Sequence, residues 1–269
     1  MAAKRPVITL TTDFGLQDHF VGVMKGVIAN INPEALVIDI THNIAPHDIF
    51  QAAFVIRNSY AYFPPTTVHL VIVDPGVGTS RKALVVSTEK GYFIAPDNGV
   101  LSYIFAEEQA GEVREITAEH YFSKPRSGTF DGRDVFAPVA AWISKGVTLP
   151  SFGEVLPEYK KYDLPQPTLA EKGIWRCKVV YADRFGNLVS NLSREKFKEY
   201  LDTSEKRRFI FQLGERMVAK ISNSYAEGEK DELLALFGSS GFLEFSVNRG
   251  SASKLTACGI GKDILFKVL

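Results

Sequence analysis

The sequence predicts an α/β domain followed by a smaller all-β domain. Three observations carry this. Continuous apolar runs alternate with helical periodicity through residues 7–143, a Pro-containing and charged stretch lies at 159–172, and short β-rich runs crowd the chain after it. The division expected is therefore 1–158, a linker at 159–172, and 173–269.

Residues 7–11 form a β-rich run that ends at Thr12-Asp13-Phe14-Gly15. Phe20, Val23, Met24, Val27, Ile28 and Ile31 then recur at helical spacing, with Asp18 placed to cap and Asn32-Pro33 to stop. Residues 36–40 read as a continuous apolar strand broken only by Asp39. Asp48 precedes a second helical pattern over 49–60, which ends before Pro64-Pro65. Residues 68–73 are a third strand, ending at Asp74-Pro75-Gly76. A hairpin follows over 83–87 and 92–95, then Pro96-Asp97-Asn98-Gly99, and a further helix runs from near Asp134 to Ile143. In the second domain the strand signals are 175–181, 188–190, 209–213, 217–221, 242–247 and 264–268, interrupted by one helix over 194–200, which suits a small β-barrel or sandwich.

Continuous apolar strands alternating with helices imply a mainly parallel sheet covered on both faces. Ligands bind outside the carboxyl ends of such strands. Asp13, His42, Asp74 and Asp97 each fall at or just after a strand's end, so they are expected on one rim. The 31 Lys+Arg balance 31 Asp+Glu, which opposes a basic nucleic-acid footprint or a polybasic membrane surface. Cys177 and Cys258 are too few for a disulfide framework or a Cys-rich zinc site, and no run approaches the roughly 18 apolar residues of a membrane span. A cytoplasmic protein is expected.

Four clusters combine carboxylates with glycines. They are Thr12-Asp13-Phe14-Gly15, Asp74-Pro75-Gly76-Val77-Gly78 with Arg81, Gly128-Thr129-Phe130-Asp131-Gly132-Arg133-Asp134, and Asp183-Arg184-Phe185-Gly186-Asn187. None fits a phosphate-cradling or dinucleotide fingerprint. Each alone has a plain structural reading. Asp13, Asp18 or Asp134 reads as a helix cap, Asp74-Pro75-Gly76 as only a turn, and the 183–187 segment as a hairpin turn with Asn187 left-handed. His42 and His47 read as supporting or surface residues.

The four clusters in this order resemble the S-adenosylmethionine hydroxide adenosyltransferases, hydrolase relatives of the fluorinating and chlorinating enzymes. The resemblance runs from Thr11-Thr12-Asp13-Phe14-Gly15 through Val73-Asp74-Pro75-Gly76-Val77-Gly78 and Ala95-Pro96-Asp97-Asn98-Gly99 to Phe242-Leu243-Glu244 and Asn248. It implies an α/β domain, a β-barrel domain, and a homotrimer with active sites between subunits. The implied reaction is displacement of methionine from S-adenosylmethionine by water at C5′, giving adenosine and methionine. No cofactor, metal, nucleic acid or membrane is implied.

By the same resemblance, Asp13 holds the ribose hydroxyls, and Asp183 and Asn187 of the partner subunit meet the methionine ammonium and the adenine edge. Phe185 and Phe130 join the substrate-binding set as aromatic walls. Ser239 and Ser240 fall where the methionine carboxylate binds, and Asn248-Arg249 where the adenine edge is read. His47 replaces a tryptophan of the fluorinating enzyme. Hydrolytic members carry an Asp, an Arg seven residues later, and a His in a Thr-Phe-x-Gly-Arg-Asp motif. Asp74 and Arg81 match, whereas Asp131 stands in the histidine slot. Asp74 and Asp131 are expected to share water activation, balanced by Arg81. Two other readings compete: a metal-dependent phosphohydrolase using Asp13, Asp74, Asp97, Asp131 and His42, and a non-catalytic adenosine-binding module.

Overall fold

The computed structural model describes residues 5–202 and 208–269. It divides into two compact units, Met1–Asp163 and Leu164–Leu269.

The first unit contains β1 (Val7–Thr12), α1 (Phe20–Ile31), β2 (Leu36–Thr41), α2 (Ile49–Arg57), β3 (Val68–Ile72), β4 (Ala83–Thr88), β5 (Gly91–Pro96), α3 (Ser102–Glu107), β6 (Glu112–Glu115) and α4 (Ala137–Ser144). The sheet order is β2-β1-β3-β5-β4-β6. β1, β2, β3 and β5 run parallel, and β4 is antiparallel to both β5 and β6. Period-two alternation splits the core. Ile8, Leu10, Leu70 and Ile72 pack with Met24 and Ile28 of α1 and Phe136 on one face. Val71 and Val73 pack with Ile56 of α2, Phe93 and Ile104 of α3 on the other.

β2 and β3 both flank β1, so the chain direction across the sheet reverses between β1 and β3. That reversal makes a crevice at their carboxyl ends. Asp13 follows β1 directly and Asp74 lies two residues after β3.

Several expectations are corrected. Asp18 does not cap α1, because the N-cap is His19 and no side chain caps that end. Asp48 does cap α2, accepting from the Gln51 N–H at 2.8 Å, and that helix ends at Arg57 rather than 60. β2 is a half-exposed edge strand, since among the described residues it pairs with β1 alone. Asp134 is not a helix cap. It lies within the wide π turn Gly132–Phe136, in which the Ala137 N–H bonds the Gly132 carbonyl, and its side chain is fully buried.

The second unit holds β7 (Thr168–Glu171), β8 (Ile174–Ala182), β9 (Leu188–Ser193), α5 (Arg194–Leu201), β10 (Phe209–Leu213), β11 (Arg216–Val218), β12 (Leu233–Phe237), β13 (Phe242–Val247), α6 (Ala252–Thr256) and β14 (Asp263–Val268). Its antiparallel path is β11-β10-β14-β8-β9-β13-β12, with β7 on β8. The two end strands come together, and the Ser222 N–H just beyond β11 donates to the Ala235 carbonyl of β12. The sheet is thus a nearly closed barrel around Leu188, Phe211, Phe245 and Phe266. The stretch read as a linker is partly ordered into both units. The Lys160 N–H donates to Asp97 and the Tyr162 N–H to Ser102, while Thr168–Glu171 pairs with β8. Among the described residues no helix is long and apolar enough to cross a membrane.

Candidate active site

The loop after β3 folds back on itself. The Gly76 N–H donates to Asp74 Oδ1 at 3.2 Å, and the Thr79 hydroxyl donates to the Gly76 carbonyl at 2.6 Å. Arg81 is thereby returned over Asp74, with Nε 2.8 Å from Asp74 Oδ2. One terminal nitrogen of the same guanidinium reaches Asp74 Oδ2 at 2.5 Å and Asp131 Oδ2 at 2.6 Å. Burial works against the Arg81 charge, but the Asp74 and Asp131 carboxylates outweigh it and hold its pKa above the ordinary value. The motifs at 74–81 and 126–134 meet backbone to backbone. A Cβ built at Gly78, whose φ is +78°, would stand 2.8 Å from the Gly128 carbonyl oxygen.

Asp131 is 1% exposed, and it has a second cation that sequence reasoning missed. Arg126 places Nε 3.1 Å and a terminal nitrogen 2.9 Å from Asp131 Oδ1. Asp74, Asp131, Arg81 and Arg126 therefore form two carboxylates against two guanidiniums, with no net charge. A buried carboxylate needs such compensation, and the burial of Asp131, visible only in the fold, accounts for the second arginine. The supporting loop is closed by Asp134, whose Oδ2 accepts from the Ser127 N–H and hydroxyl, both at 2.7 Å. Arg133 donates to its Oδ1 at 2.6 Å. Burial tends to raise the Asp134 pKa, but Arg133 and Ser127 lower it below the usual carboxylate range.

Asp13 Oδ2 accepts the N–H of His47, which sits at φ +68°. Phe130 packs edge-on against Phe14 and Phe20, at centroid distances of 5.7 and 5.2 Å, which joins the Asp13 motif to the Asp131 motif. His42 is buried, bonded to the Thr12 hydroxyl at 2.9 Å, with Nε2 3.0 Å from Asp39. The expected rim exists in topology, but its carboxylates face separate partners. Asp13 takes a backbone N–H, Asp97 takes Lys160, and Asp74 and Asp131 take arginines. Among the described residues no three His, Cys, Asp or Glu side chains converge as a metal site requires. The phosphohydrolase reading finds no such set.

In the second unit a cavity of about 570 Å³ is lined by Asp183, Phe185, Asn187, Tyr225, Arg249 and neighbours. Asp183 builds its own loop, accepting from the Phe185 and Asn187 N–H groups at 2.9 Å and from Asn187 Nδ2 at 2.8 Å. The left-handed residue here is Gly186 (φ +85°), not Asn187, and a Cβ there would collide with Ser251. This tight loop turns Phe185 outward, 75% exposed, beside the cavity. Tyr225 was not expected from the sequence. It donates to Glu244 Oε1 at 2.8 Å, and burial together with Glu244 pushes its pKa up to about 12. Asn248 turns away and donates to the Gly228 carbonyl. Ser239 and Ser240 lie outside this cavity, in the turn before β13, whereas Arg249 follows the strand's other end.

Comparison with known proteins matches both units. Residues 8–153 match the SAM hydroxide adenosyltransferase N-terminal domain, and residues 177–265 match the SAM hydroxide adenosyltransferase C-terminal domain. The (R)-S-adenosyl-L-methionine hydrolase of Methanocaldococcus jannaschii is 39% identical over 258 residues, covering 93% of this chain and 91% of the relative. The enzyme of the same name from Salinispora tropica is 35% identical, covering 94% of each. A crystal structure of an uncharacterized conserved protein from Thermotoga maritima superposes with a TM-score of 0.89 at 38% identity, covering 97% of this chain and 99% of that one. With both of its units matched in order and an arginine-clamped carboxylate pair at the switch point of its sheet, this chain belongs to the SAM hydroxide adenosyltransferase family.

Proposed function

We propose that this chain hydrolyses S-adenosyl-L-methionine to adenosine and L-methionine, by attack of water at C5′ of the ribose. The observation that carries the reading is the Asp74–Arg81–Asp131 cluster, set at the β1/β3 switch point one strand from Asp13, in a chain of this family. The chemistry asks little of the protein. A sulfonium departs as a neutral thioether, so no general acid serves the leaving side and no cofactor is needed. Water must be held in line with the C–S bond and must lose a proton at or after attack. The oxygen–C5′ bond forms, the C5′–S pair goes to sulfur, and the proton goes to a carboxylate. A cluster of zero net charge suits this step. Surplus negative charge would hold the cationic substrate more tightly than the transition state, in which the positive charge is fading.

Asp13 keeps an oxygen for the ribose hydroxyls beside the one taken by His47. Phe185 and Tyr225 offer aromatic faces to adenine, and Asp183 and Asn187 shape that cavity. Ser239 and Ser240 are assigned to the methionine carboxylate, and the Asn248-Arg249 backbone to the adenine edge. We take the working form to be a cytoplasmic homotrimer, in which the amino-terminal half-site of one subunit is completed by the carboxyl-terminal half-site of a neighbour. The two hydrolases named above carry the (R) descriptor, which supports the R sulfonium as the preferred epimer.

The test is incubation of pure protein with each sulfonium epimer in chelator, with the nucleosides resolved by chromatography. Adenosine and methionine are expected, faster from the R epimer. Methylthioadenosine or S-adenosylhomocysteine as the nucleoside product would overturn the assignment, and loss of turnover in chelator would revive the metal reading.

A further inference from the structure

We infer that Arg126 is a positioning residue of the water-activating cluster: it fixes Asp131 as the charge partner of Arg81 and leaves Asp74 to receive the proton. The inference rests on the hydrolase reading above. Asp131 stands where the resembled hydrolases carry a histidine. A neutral imidazole needs no counter-charge, whereas a carboxylate this deeply buried does. Arg81 cannot supply it alone, because the same guanidinium also serves Asp74. Arg126 supplies the second charge as a fork on Asp131 Oδ1, while Arg81 holds Oδ2.

Arg126 is 45% exposed, and its guanidinium is held over Asp131 by the two bonds to Oδ1 and by an aromatic ring beside it. Its guanidinium lies 5.8 Å over the Phe122 ring, and it borders a cleft of about 280 Å³ shared with Arg81, Lys82 and Glu119. Lys82 is paired with Glu115 at 3.3 Å, and the nearby Asp134 is occupied by Arg133 and Ser127. The charged groups that meet Asp131 are thus Arg81 and Arg126, with Asp74 reached through Arg81.

Both oxygens of Asp131 receive guanidinium N–H groups. The protein donor to Asp74 Oδ1, among the described residues, is the Gly76 N–H at 3.2 Å. Asp74 Oδ1 is therefore the oxygen that takes the proton of the attacking water, as the oxygen–C5′ bond forms and the C5′–S pair moves to sulfur. Asp131 acts through Arg81, and Arg126 acts through Asp131.

The experiment compares wild type, Arg126→Gln, Arg126→Lys, Asp131→His and the Arg126→Gln/Asp131→His pair, with kcat and KM measured across pH. Arg126→Gln is expected to lower kcat about tenfold, less than the roughly hundredfold lost with the base itself. KM should stay within about twofold, the acid limb of the pH–rate profile should move upward, and lysine should restore part of the loss. Asp131→His alone should be poorer than the double variant, because two arginines then face an imidazole. An Arg126→Gln enzyme with wild-type kcat and pH profile, or purely additive effects in the pair, would overturn the inference. A thermal cycle gives a readout without turnover: Arg126→Gln should lower Tm beside Asp131 but not in an Asp131→Asn background. Equal drops in both backgrounds would refute the pairing. A wild type that releases no adenosine would defeat the hydrolase reading and the proton assignment, while the thermal cycle would still decide whether Arg126 holds Asp131.

Discussion

The Arg81 guanidinium meets the Asp131 carboxylate at 2.6 Å, with the two side chains 8% and 2% exposed. The same nitrogen holds Asp74, so one buried cation ties the loop after β3 to the loop before α4. Ion pairs this deeply buried add little net stability over a packed apolar substitute, yet breaking one leaves a stranded charge. Their use here is orientation.

Arg81→Ala should therefore damage both fold and turnover. Loss of about 3–5 kcal/mol of stability, read as a fall in denaturant midpoint, is expected, because Asp74 is left as a buried charge without its guanidinium beside an Asp131 that keeps only Arg126. Arg81→Lys keeps the charge but not the fork, so it should recover much of the stability and little of the kcat. A lysine variant with wild-type kcat would show that charge alone matters and that the geometry of the clamp does not.

Asp74→Asn should lower kcat by about a hundredfold or more, within the range of general-base contributions, with adenosine affinity nearly unchanged. Calorimetric titration with adenosine separates the two effects. An asparagine variant that binds adenosine poorly but turns over at the normal rate would place Asp74 in the nucleoside site instead.

The layout of both units was legible because the strands are short, apolar and bounded by turn residues. β1, β3, β10 and β13 stand where their patterns put them. β12 escaped notice because Leu233–Phe237 is one uninterrupted apolar run without alternation or β-branching. β6 escaped because Glu112–Glu115 is mostly charged and is held as a strand only by pairing with β4. In the site, carboxylates adjoining glycines were visible, but their partners were not. Arg126 pairs with a residue five positions away through a loop path no periodicity reveals, and Tyr225 meets Glu244 across two strands' worth of chain. Asp134 looked like a cap because it opens a helical pattern. The apolar run Val135–Ala141 buries its position instead, and its carboxylate turns back to Ser127.

Phe185→Ala tests the second half-site with small risk to the fold, since that ring is mostly exposed. Stacking on a base is worth about 1–3 kcal/mol, so adenosine affinity should fall about tenfold while Tm stays within about a degree of wild type. Unchanged affinity would mean that the cavity beside Asp183 and Tyr225 does not take the base.

Acid sensitivity of the fold should trace to His69, far from this chemistry. It is fully buried in β3, bonded through Nδ1 to the Thr9 hydroxyl at 2.8 Å and stacked on Phe93, with Nε2 lacking a partner among the described residues. Burial lowers its pKa from 6.5 to about 4. The folded state thus resists a proton that the unfolded chain accepts below pH 6.5. Stability is complete above that value and declines as pH falls toward 4, by up to about 3 kcal/mol. The lowered pKa of Asp134 acts in a different window, since its contribution is present above pH 3.8 and fades only below it. Thermal melts between about pH 7.5 and about pH 5.5, above the window in which Asp134 and the lowered carboxyls of Glu112, Glu195 and Glu232 lose their contribution, isolate the histidine. His69→Asn, whose amide stands at the Nδ1 position and can still bond Thr9, should flatten the slope of Tm against pH over that interval. A variant that keeps the wild-type slope would assign the acid sensitivity to another group.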